Sequence, residues 1–98
     1  MSNEPIVTPG SGNVYEDLGL ADAKEMKIKS LIALEIQRVI NKRSLTQVEA
    51  ATLMGIDQPK TSAILNGKFR GFTIDRMIRF LEALDVDVLV SFVDREAS

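Results

Sequence analysis

The two side chains that most often carry acid–base and nucleophilic chemistry are missing: the 98 residues contain no histidine and no cysteine. A catalytic centre would have to rest on carboxylates, lysines, Tyr15 or hydroxyls. No phosphate-binding loop and no paired-carboxylate constellation is present to organise them, so neither an enzyme nor a metal or cofactor site is expected. The chain offers hydrogen bonding instead. Between positions 57 and 66 stand Gln58, Lys60, Ser62 and Asn66, amides and a hydroxyl beside a charge. Such a mixture can discriminate among patterns of donors and acceptors, which charge alone cannot. The net charge of -2 at first argues against a polyanionic partner. Its distribution removes the objection: residues 27–80 carry ten Lys or Arg against Glu35, Glu49, Asp57 and Asp75, a net +6, while residues 1–26 and 81–98 each carry -4. Phosphates respond to the local patch.

The elements that must position these residues are legible from periodicity and caps. Residues 1–13, with Pro5, Pro9 and the run Pro9–Asn13, read as a flexible tail. Val14, Tyr15, Leu18 and Leu20 form a short apolar patch, either a turn docking on the domain or a surface for another protein. Asp22 with Glu25 looks like a helix start, and Ile28, Leu31, Ile32, Ile36, Val39 and Ile40 recur at helical spacing to about Lys42. Thr46-Gln47-Val48-Glu49 is a capping box, with Leu45 placed to staple onto Ala50. That helix stops at Gly55, and the next opens at the Asp57 cap with Pro59 in its first turn and closes at Asn66-Gly67. A fourth starts at Thr73 and carries Ile74, Met77, Ile78, Leu81 and Leu84 on one face. The last segment changes period: Val86, Val88, Val90 and Phe92 alternate with Asp87, Leu89, Ser91 and Val93, which predicts a strand. A lone strand needs a partner, and a second copy of the chain would supply one.

Two short helices joined by a glycine turn, residues 46–67, form a helix-turn-helix pattern. Ala51 is small where the helices cross, Gly55 makes the turn, and Ile56, Ile64 and Leu65 anchor the second helix, leaving its outer face to enter a DNA major groove. Residues 45–84 resemble the Cro/C1-type (XRE) helix-turn-helix family through Leu45-Thr46-Gln47, Ala51, Gly55-Ile56, Gln58, Ile64, Gly67 and Thr73-Ile74. The wider chain is similar to HigA-type antitoxins in the lead-in Asn13–Gly19, in Gln58–Ser62, in Gly67-Lys68-Phe69 and in the Val-rich tail. One position departs from the family. Thr61 stands where Val or Ile is usual, and its hydroxyl needs an acceptor such as a helix carbonyl one turn back.

The resemblance implies a mainly α fold, a four- to five-helix bundle of the lambda-repressor-like type with a C-terminal β-strand pairing between subunits. It divides the chain into a tail (1–13), a DNA-binding domain (14–85) and a dimerisation strand with tail (86–98). It implies a sequence-specific transcriptional regulator, a repressor working as a homodimer on double-stranded DNA; the lack of cysteine, of a signal-peptide pattern and of a bilayer-spanning apolar run makes a cytoplasmic protein with no membrane role the expectation. The alternative is an antitoxin that binds and neutralises a toxin protein. Carried over residue by residue, Gln47 would touch phosphate and brace Gln58. Gln58 would bond a base edge, adenine suiting its paired donor and acceptor. Lys60 and Ser62 would follow on the exposed face, and Asn66, Lys68 and Arg70 would meet phosphates at the helix exit. Arg43 would reach backbone on the other side, and Val86, Val88, Val90 and Phe92 would join the subunits.

Overall fold

The computed structural model describes residues 14–95, with side chains from residue 22 onward; the 1–13 tail and the side chains of the Val14–Leu20 patch lie outside the described residues. Four helices follow in order: α1 (Val14–Lys42), α2 (Gln47–Met54), α3 (Gln58–Leu65) and α4 (Ile74–Ala83). The first is longer than its acidic pair suggests. Asp22 and Glu25 are interior positions of α1, not its cap, because the segment from 14 to 22 contains no breaker stronger than Gly19. A helix carries an interior glycine at a cost of about 1 kcal/mol. The result is a rod of 29 residues, about 43 Å at 1.5 Å per residue.

The other three helices start where their caps place them. Thr46 Oγ1 accepts from the Glu49 amide at 3.0 Å while the Glu49 carboxylate accepts from the Thr46 amide at 2.8 Å. Asp57 Oδ1 accepts from the Lys60 amide at 2.8 Å, and Thr73 Oγ1 from the Arg76 amide at 3.1 Å. Each device satisfies donors that a helix start leaves unpaired.

One face of α1 supplies Ile32, Ala33, Ile36, Val39 and Ile40 to the core. Ala50 and Met54 of α2, Ile64 of α3, and Met77, Phe80 and Leu81 of α4 close over it with Leu84. Ala51, only 5% exposed, lets α2 and α3 approach.

Beyond α4 the backbone turns through Asp85 at φ 66°, with the Val86 amide donating to the Leu81 carbonyl at 3.0 Å. Residues 86–94 form neither helix nor strand within the chain. The expected alternation holds for Val86 and Val88, which pack partly buried against the core. It then ends: Leu89, Val90, Phe92 and Val93 are between 71% and 93% exposed. No pairing of the expected strand occurs among the described residues, which leave this apolar run exposed.

Candidate nucleic-acid interface

The α2–turn–α3 unit is set by three residues between the helices. Gly55 takes φ 76°, a left-handed conformation that a residue with a Cβ adopts only at a cost. From there the amides of Gly55 and Ile56 both donate back to the Ala51 carbonyl, at 2.9 and 3.1 Å, which turns the chain sharply into Asp57. On α3 only Thr61 and Ile64 are buried, both completely. The Thr61 hydroxyl donates to the Asp57 carbonyl at 3.1 Å, one turn back, which satisfies the hydroxyl that the departure from the family introduces. These two residues fix the rotation of α3 and hence what faces outward.

Gln58, Ser62 and Asn66 fall on successive turns of the opposite face. Gln58 is exposed at the first position of α3, as Gln47 is at the first position of α2. Asn66 Nδ2 donates to the half-buried Ser62 Oγ at 3.2 Å, so these two are coupled. Lys60, on the flank, is exposed with Nζ 3.9 Å from Asp57 Oδ2.

The exit loop alternates in its own way. Phe69 and Phe72 are buried at 4% and 9% exposure, and Lys68 and Arg70 are turned to solvent. Phe72 meets Phe80 edge to face at 5.8 Å, and the Arg76 guanidinium lies over both rings at 5.0 and 5.6 Å. Arg70 meets α1 at two points: its guanidinium reaches Asp22 at 3.2 and 3.4 Å, and its carbonyl accepts from Lys29 Nζ at 3.3 Å.

Gln58, Lys60, Asn66, Lys68 and Arg70 are thus exposed and Ser62 half-buried along α3 and its exit, with Gln47 exposed at the head of α2. Arg43 is not with them. Its Nη1 donates to the Leu84 carbonyl at 2.9 Å, closing the end of α4 in a cleft shared with Arg38, Lys42 and Asp85. Sequence reasoning did not identify Lys29, Phe69, Phe72 or Arg76. A signal existed for three of them. Lys29 lies three residues before Ile32 and seven before Ile36, on the buried stripe, and Phe69 and Phe72 are large apolar residues inside a basic loop.

The surface carries much less available positive charge than the net count of the middle section suggests. Lys29 pairs with Glu25 at 2.9 Å and Arg79 with Asp75 at 3.0 Å, while Arg38 bonds Glu35 and holds that carboxyl below its ordinary range. Arg70 of the exit loop is paired as well, with Asp22, while Lys68 is exposed beside it. Neutralising Lys68 and Arg70 together is expected to lower the slope of log affinity against log salt by about 1–2. Filter binding over a salt series measures this, and an unchanged slope would place the phosphates elsewhere.

A helix-turn-helix domain family matches residues 14–92, which spans all four helices and most of the apolar run. A solved structure of a protein assigned to the XRE family of transcriptional regulators superposes with a TM-score of 0.72 at 39% identity, covering 79% of this chain and 86% of that one. No curated protein sequence matches significantly.

Proposed function

The chain belongs to the XRE-type helix-turn-helix family of DNA-binding transcriptional regulators, and from that premise we propose that it is a sequence-specific repressor reading the major groove with α3. The observation that carries this reading is Gln58. It is exposed at the leading end of a helix whose rotation is locked by buried Thr61 and Ile64 and whose start is fixed by the Asp57 cap. N-terminal residues of a recognition helix are the ones aimed at base edges, and an amide can donate to adenine N7 while its oxygen accepts from the N6 amino group. Gln58→Ala is expected to weaken binding to the specific site by about 1–3 kcal/mol and to relax preference at one base position, with nonspecific binding nearly unchanged. A shift assay against the DNA upstream of its own gene makes the comparison, and equal affinity of mutant and wild type would remove Gln58 from the reading set.

The regulator works as a homodimer in this reading. What supports it is the run Leu89–Val93, apolar and exposed in a single chain although Val86 and Val88 just before it are tucked against the core. Paired with its symmetry mate across a two-fold axis, the segment gains a hydrogen-bonded edge and cover for its side chains. Two recognition helices then reach half-sites about one helical turn apart. The same exposed run supports a second reading, capture of a toxin protein. Light scattering of the isolated chain separates the two, since only the first requires a dimer without any other protein.

A further inference from the structure

We infer that Asp22 sets DNA affinity as an intramolecular counter-ion: it occupies the Arg70 guanidinium in the free protein and is displaced when a DNA phosphate takes its place. The inference rests on the reading of the α3 exit loop as a backbone contact. Asp22 and Arg70 are 48 residues apart in sequence, so their contact is no accident of one helix and exists only because α1 extends past the exit loop.

The Arg70 backbone is fixed before its side chain chooses a partner. Phe69 and Phe72 bury themselves on either side of it. Its carbonyl is tied by the Lys29 ammonium, whose side chain is only 3% exposed and whose charge is answered by Glu25 at 2.9 Å. A buried lysine spent on one loop carbonyl holds that loop in register with α1, because leaving either group unpaired would be costly.

The guanidinium, in contrast, is held loosely. Nη1 reaches Oδ1 at 3.2 Å and Nη2 reaches Oδ2 at 3.4 Å, both at the long end for a charge-assisted bond, and the side chains are 71% and 49% exposed. A phosphate approaching the same end of the fork finds both terminal nitrogens engaged and a carboxylate of its own sign beside them. It has to expel Asp22, and an exposed pair of this kind opposes that by no more than about five-fold. The sign follows: Asp22 weakens binding.

The test uses the full-length protein and two duplexes, one carrying the sequence upstream of its own gene and one of random sequence, each over a salt series. Asp22→Asn is expected to tighten binding to both by about 2–5-fold. Arg70→Gln should weaken it and lower the salt slope by about 0.9. In the Arg70→Gln background, Asp22→Asn should change little, because its target is gone. Equal tightening in both backgrounds would reduce Asp22 to a distant negative charge and overturn the inference, as would weaker binding by Asp22→Asn alone, which would make the carboxylate an aid to Arg70. If Arg70→Gln changes neither affinity nor slope, the reading of the loop itself fails. Circular dichroism of each variant confirms that the helices are intact.

Discussion

Deleting residues 89–98 is expected to leave a folded monomer whose affinity for its operator has fallen by about 10²–10⁴-fold. The cut is placed to separate two tasks of the C-terminal segment. Val86 and Val88 stay, so the edge of the core remains covered, and only the exposed run with Leu89, Val90, Phe92 and Val93 is lost. Those four side chains contribute almost nothing to a lone chain, so far-UV dichroism and the thermal midpoint of the truncated form at low concentration should match those of dissociated wild type. The loss in DNA binding has a different origin. Once one half of a dimer is on its half-site, the second binds at a high effective concentration, and that gain of roughly 10²–10⁴ disappears when the joint is cut. Light scattering and a shift assay on the same samples give both readouts. A truncated chain that is still dimeric at micromolar concentration would sink the segment as the joint, and a full-length chain that is monomeric there would sink the dimer.

Ile64→Ala attacks the same function from the inside. Ile64 is fully buried where α3 meets the α1 and α2 core, and it is one of only two buried residues on α3. Truncating a buried isoleucine removes apolar contact and leaves a cavity, together worth about 2–5 kcal/mol. A small domain is stable by only about 5–15 kcal/mol, so this is a large share of the total. Urea unfolding should show a midpoint lowered by roughly 1–5 M, given a slope near 1–2 kcal/mol/M for a chain this short. Gln58→Ala should leave the midpoint where it is. An Ile64→Ala midpoint equal to wild type would mean that α3 is not held by this contact and that its outward face is set by something else.

The helix-turn-helix was legible because its parts are local. Thr46 and Glu49, Asp57 and the Lys60 amide, and Thr73 and the Arg76 amide are each three residues apart, and a capping pair at that spacing can be read off a sequence. Periodicity marked Ile32, Ile36, Val39 and Ile40 of the buried stripe of α1, but it also put Ile28 and Leu31 there, which are 44% and 57% exposed, and the core role of Ile64 followed from the helix-turn-helix pattern. What was not legible depends on distance along the chain. Lys29 meets the Arg70 carbonyl, Arg43 the Leu84 carbonyl and Asp22 the Arg70 guanidinium across 41 to 48 residues, and nothing local marks a lysine or arginine as bound to a far carbonyl. This is why the bond by which Arg43 closes the end of α4 could not be read from the sequence. The start of α1 was misplaced for the opposite reason: an acidic pair that resembles a cap is also an ordinary helix interior, and here each member found a partner further on.

The burial pattern of α3 has a consequence for how such a protein can change. Stability is written at Thr61 and Ile64, and the positions proposed to read DNA, Gln58, Lys60 and Ser62, are exposed or half-buried residues that the core does not require. Substitutions at those three places are nearly neutral for folding, in the way surface changes generally are. A lineage can therefore drift from one operator to another through variants that all fold, and an engineer can randomise the same three codons without first building in spare stability. The capacity to acquire a new target comes from having spent so few residues of the reading helix on holding it in place.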